Sequence, residues 1–85
     1  MNRAGGDDLP KADQQLDASG LTCPMPLLKA KQALNRLAAG AVLEVQATDP
    51  GSERDFAVFA RQSGHELLLS QRQGEQFVYL LRKAH

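Results

Sequence analysis

A chain of 85 residues holding ten basic and ten acidic side chains is formally uncharged and makes one small domain, with no cleft between domains and a modest stability margin. Nucleic-acid binding usually brings a basic excess, so neutrality argues against it. The single cysteine, Cys23, excludes an internal disulfide, a Cys-x-x-Cys redox pair and a multi-cysteine zinc site, and no segment approaches the roughly 20 apolar residues that span a bilayer.

Residues 1–12, with Gly5, Gly6, Asp7, Asp8 and Pro10, read as a flexible polar tail outside the fold. They contain no apolar stretch of the signal-peptide kind. The expected compartment is therefore the cytoplasm, where a free thiol survives. One domain is expected over residues 13–85. Residues 14–18 form a short strand in which Leu16 and Ala18 alternate, and Ser19-Gly20 marks a turn. From Pro24 the period becomes helical, through Leu27, Ala30, Leu34, Leu37 and Ala38. Pro24 and Pro26 fall in the first turn, where a missing N–H is tolerated, and Gly40 suits the stop.

Leu43, Val45 and Ala47 alternate with polar residues as a half-buried strand does. Asp49-Pro50-Gly51 is a turn, and Ser52 with Asp55 fits a capping box. Phe56, Phe59, Ala60 and Ser63 then share the face of a second helix that Gly64 ends. Residues 66–71 and 76–82 make a hairpin around Gly74. The last strand is apolar on both faces, through Phe77, Tyr79 and Leu81 on one and Val78 and Leu80 on the other, which suits a central strand. The expected fold is an α/β two-layer sandwich of βαβαββ order, with two helices on one face of a mixed four-stranded sheet. The other sheet face is left solvated, covered by the tail or used for a partner.

The informative stretch is Leu21-Thr22-Cys23-Pro24-Met25-Pro26. A lone free cysteine ordinarily packs as a small hydrophobe. Here it stands between Gly20 and Pro24 at a loop-to-helix junction, which favours exposure. The helix end carries about half a positive charge, and such a site lowers a thiol pKa from about 8.5. Pro24 and Pro26 lack N–H groups, leaving those of Met25 and Leu27, so the expected lowering is moderate. A cysteine hydrolase needs a base held against the thiol; neither His65 nor His85 is placed by the sequence to reach Cys23, and no metal-ligand spacing appears. One exposed nucleophilic cysteine without a resolving cysteine suits carriage: it accepts a group and surrenders it to another protein.

The segment from Leu16 to Pro26, with Leu37-Ala38-Ala39-Gly40, Thr48-Asp49-Pro50-Gly51-Ser52, Asp55-Phe56 and Gly64-His65, resembles the TusA/SirA/YedF family of sulfur-carrier proteins. The resemblance covers nearly everything from Leu16 to Lys83. It implies that Cys23 receives a persulfide sulfur from a cysteine desulfurase or other sulfurtransferase and relays it to an acceptor protein. The destinations it implies are tRNA thiolation, molybdenum-cofactor enzymes or another sulfur pathway. It implies no cofactor on this chain, since the pyridoxal phosphate belongs to the donor. The protein is then a relay more than a stand-alone multiple-turnover enzyme. Family members devoted to tRNA thiolation often carry arginine and glutamate where this sequence has Thr22 and Met25. That departure bears on the pathway, not on the sulfur chemistry.

Around Cys23, Asp17 and Gly20 are expected to fix the presenting loop, with Pro24 and Pro26 stiffening the helix start. Met25 is a candidate apolar contact for a partner, or else a packed first-turn residue. Lys29, Lys31 and Arg36 form a basic helix face for an acidic partner, or an ordinary solvated one. Asp49 and Asp55 shape the transfer surface, or simply cap turn and helix. A monomer is expected, since the cysteine must meet two partners in turn. Two other functions compete: a regulatory or RNA-binding module in which Cys23 has no covalent role, and a thiol redox sensor.

Overall fold

In a computed structural model the chain forms β1 (Gln14–Ala18), α1 (Met25–Asn35), β2 (Val42–Ala47), α2 (Gly51–Ser63), β3 (Glu66–Gln73) and β4 (Gln76–Arg82). The structure describes residues 10–85; of the tail expected over residues 1–12, residues 1–9 lie outside the described residues. The sheet order is β1-β2-β4-β3. β1 and β2 are parallel, from Gln14 opposite Leu43 to Ala18 opposite Ala47. A parallel pair needs a crossover, and α1 supplies it. β4 is antiparallel to both β2 and β3, so the strand with two apolar faces is indeed central. A bulge at Leu68 separates the pairs Leu67–Leu81 and Leu69–Leu80, which turns Leu67 to the core face and Leu69 to the other.

The core lies between one sheet face and the helices. Ala18, Leu43, Val45, Ala47, Phe77, Tyr79 and Leu81 from the sheet meet Ala30 and Leu34 of α1 and Phe56 of α2. Phe56 stacks on Tyr79 with centroids 4.4 Å apart and planes 5° from parallel. The Tyr79 hydroxyl is buried and must be paired; it lies 2.7 Å from Ser52 Oγ. Ser52 spends its own proton on the Asp49 carbonyl, also at 2.7 Å, so Tyr79 is the donor of the pair. Burial keeps the Tyr79 phenol above its ordinary pKa.

Two helix boundaries differ from expectation. α1 ends at Asn35, before Gly40. The Arg36 and Leu37 N–H groups turn to carbonyls three residues back, Ala33 at 3.1 Å and Leu34 at 3.0 Å, tightening the last turn. The Leu37 carbonyl is then held by Lys83 Nζ at 2.6 Å. The stop therefore comes from a distant lysine, and Gly40, at φ 90°, serves the turn into β2. α2 begins two residues early, with Pro50 in place of Ser52 as N-cap and no side-chain cap. The capping box does not form because Ser52 is buried against Tyr79 and Asp55 turns elsewhere. Gly64 ends α2 as expected, in the left-handed region at φ 85°.

Ser52→Ala is expected to cost about 1–3 kcal/mol, because it strands the Tyr79 hydroxyl and removes a bond to the Asp49 carbonyl. Urea denaturation measures it; a cost near zero would mean that water replaces both bonds.

Candidate functional site

Because β1 and β2 are parallel, the loops that follow them open at the same end of the sheet. One carries Cys23 and the other carries Asp49. The Cys23 loop is pinned at several points. Asp17 accepts the Ser19 N–H at 3.0 Å, and hydrogen bonding to the Ser19 side chain first and its N–H second holds the carboxyl below the usual range. Gly20, at φ 82°, donates its N–H to Thr48 Oγ1 at 2.9 Å, tying the first loop to the second. The Cys23–Pro24 peptide is cis. Pro24 is the N-cap of α1, and Pro26 is fully buried beneath it. Cys23 itself is a free, exposed thiol.

α2 starts against the same spot. A Cβ built on Gly51 would stand 2.9 Å from Asp49 Oδ2 and 3.6 Å from Cys23 Cβ, so only glycine fits there without a shift. Both helices thus begin beside the thiol and run the same way. Between them lies an open groove of about 460 Å³, lined along α1 by Leu27 and Lys31 and along α2 by Asp55 and Phe59, with Cys23 at its mouth. Farther along, Lys31 Nζ sits 5.5 Å from the centre of the Phe59 ring, a cation–π contact.

The electrostatics at the thiol run opposite to the sequence expectation. Asp55 Oδ2 accepts the Cys23 thiol proton at 2.6 Å. That hydrogen bond, then desolvation and the charges of Asp55 and Asp49, push the Cys23 pKa up from its ordinary value. The helix end was expected to lower it. It carries only about half a charge, and its cap, Pro24, has no N–H. The Met25 N–H, counted as a donor toward the sulfur, is spent on the Thr22 carbonyl at 2.8 Å. A full carboxylate in contact outweighs what remains.

The candidate residues separate into groups. Cys23, Lys31 and Asp49 are brought together, Lys31 in the groove wall and Asp49 with its Oδ2 buried and unpaired beside Gly51. Lys29 is exposed and does not line the groove. At about 100° per residue it stands some 200° around α1 from Lys31, so the lysines do not form one basic face. Met25 is exposed at 39%, and Leu28, which the sequence reading passed over, at 42%. Gly51 was read only as a turn and motif residue, and Arg54 was missed. The signal was available in spacing, since Gly51, Arg54, Val58 and Gln62, with Asp55 beside Arg54, recur three to four residues apart, and all of them line the groove.

Both histidines lie at the opposite end of the sheet. His65 precedes the Glu66–Arg82 pair, accepts the Ala84 N–H at 3.0 Å and stacks on His85 at 4.8 Å. Neither is a base for Cys23. Among the described residues no group of three or more His, Cys, Asp or Glu side chains is placed to hold a metal, and no helix is long and apolar enough to cross a membrane.

Fold and site together define a class: a small two-layer α/β domain presenting one thiol where two helices begin. Residues 14–83 match the family model described as sulfurtransferase TusA. The chain belongs to the TusA family of sulfur carriers. It is 54% identical over 72 residues to the sulfur carrier protein TusA of Allochromatium vinosum, covering 85% of this chain and 95% of that one. It is 46% identical over 71 residues to TusA of Pseudomonas putida, covering 84% and 89%. The same fold occurs in the crystal structure of a SirA-like protein from Desulfitobacterium hafniense, with a TM-score of 0.73 and 24% identity over 85% of this chain and 99% of that one.

Proposed function

We propose that this protein carries a persulfide sulfur on Cys23, accepting it from a cysteine desulfurase or other sulfurtransferase and relaying it to an acceptor protein. The observation that carries this reading is the exposed Cys23 thiol at the mouth of a groove between two helices, in a chain of the TusA family. In the accepting step the Cys23 sulfur attacks the outer sulfur of the donor persulfide. The donor's S–S bond breaks, the donor leaves as a thiol, and one new S–S bond stands on Cys23. Delivery repeats the exchange with Cys23 as the leaving group. No bound cofactor takes part.

Asp17 and Gly20 hold the loop, and Pro24 and Pro26 fix the start of α1 beneath the sulfur. Met25, with Leu28 one turn on, offers apolar contact to a docking partner, and Lys31 and Asp49 edge the transfer surface; Lys29 lies on the outer side of α1. The protein works as a monomer in the cytoplasm, since one thiol must face donor and acceptor in turn. The acceptor leads to tRNA thiolation, molybdenum cofactor or another sulfur pathway.

The test is intact mass after incubation of the reduced protein with a cysteine desulfurase and cysteine, beside Cys23→Ala. The wild type is expected to gain one sulfur that a reductant removes, and the variant none, with an unchanged fold. No gain from several competent donors would sink the proposal and bring the regulatory reading forward.

A further inference from the structure

Asp55 stands in α2 one turn beyond Gly51, and its Oδ2 meets Cys23 Sγ at 2.6 Å. Its place on α2 is fixed by packing on either side. The next residue, Phe56, is fully buried and stacked on Tyr79, and Gly51 brings the start of α2 to the Cys23 Cβ. Four charged side chains face the sulfur or line its groove: Asp49 and Asp55 beside it, Lys31 and Arg54 along the walls. Of these only Asp55 is hydrogen-bonded to the thiol. The imidazoles are engaged at the far end of the sheet.

A protonated thiol is a poor nucleophile, and an unprotonated one of high pKa is a poor leaving group. The relay uses the same sulfur in both ways. We propose that Asp55 takes the Cys23 proton during loading and returns it during delivery, which makes it a catalytic residue; this rests on the carrier reading above. In loading, the S–H proton passes to the Asp55 carboxylate as the Cys23 sulfur attacks the outer sulfur of the donor persulfide. The donor's S–S bond breaks, its electron pair leaves on the donor sulfur, and that sulfur takes the proton from Asp55. Delivery is the reverse, with the acceptor's thiol proton passing through Asp55 to the departing Cys23 sulfur. One S–S bond breaks and one forms each time, so no oxidant or reductant enters.

The experiment compares two rates at pH 7 in the wild type, Asp55→Asn and Asp55→Glu, with circular dichroism confirming the fold. One is sulfur loading from glutathione persulfide, read by intact mass; this small donor has no docking surface to lose. The other is alkylation of Cys23 by iodoacetamide, which reports the thiolate alone. In Asp55→Asn alkylation is expected to rise, because the carboxylate that disfavours the anion is gone. Loading is expected to fall about 100-fold, the lower end of what a positioned proton-transfer group contributes, and Asp55→Glu restores part of it. Loading that stays level or rises with alkylation overturns the proposal. Wild type left unloaded by both glutathione persulfide and a charged desulfurase overturns the carrier reading itself. Loading by the desulfurase alone overturns only the proton assignment, since Asp55 acts on Cys23 whatever the donor.

Discussion

Phe56→Ala is expected to lower the unfolding free energy by about 3–5 kcal/mol, the range for deleting a fully buried phenyl ring. Phe56 is completely buried, and it is the residue through which α2 grips the sheet, by stacking on Tyr79. Such stacking adds about 0.5–1.5 kcal/mol to the area term. The core it belongs to has little to move into the hole, because three of its other members, Ala18, Ala30 and Ala47, are already small. A domain of this size has a total stability toward the lower end of about 5–15 kcal/mol, so the variant stands near its unfolding threshold. Urea denaturation with unchanged slope is the measurement; a loss under about 1 kcal/mol would mean that α2 is held by something other than this ring.

Alkylation of Cys23 by iodoacetamide is expected to be slower at pH 7 than that of an unstructured cysteine peptide. Its rate should climb about tenfold per pH unit and go on climbing beyond pH 8.5, about where the free thiol levels off. The sign follows from charge. Asp55 and Asp49 oppose the thiolate, so the anion emerges only at higher pH. A rate that levels off below pH 8 would show that the helix end governs the thiol instead. The slower rate at pH 7 would mean that the resting protein keeps its sulfur mainly as the thiol, the form less open to oxidation and stray electrophiles.

The fold was legible because each local pattern agreed with its neighbours. The alternation of Leu43, Val45 and Ala47, the helical run from Leu27 to Leu34 and the two apolar faces of β4 all stand in the structure. Errors came where a local signal met a distant partner. Gly40 looked like a helix stop, but Lys83 reaches the Leu37 carbonyl from the end of β4. Ser52 and Asp55 looked like a capping pair, but Tyr79 claims one and Cys23 the other. Cys23 and its loop were visible as a motif. The sign of its pKa shift was not, since a residue 32 positions away decides it. Proximity of that kind comes from the parallel pairing of β1 and β2, which no local periodicity reveals.

That parallel pairing also sets how traffic passes through the molecule. Everything that meets the sulfur must approach one pole of the sheet, where the two loops open together. Under the relay proposed above, donor and acceptor would exclude each other at that pole, and the protein would shuttle between them without ever bridging the two.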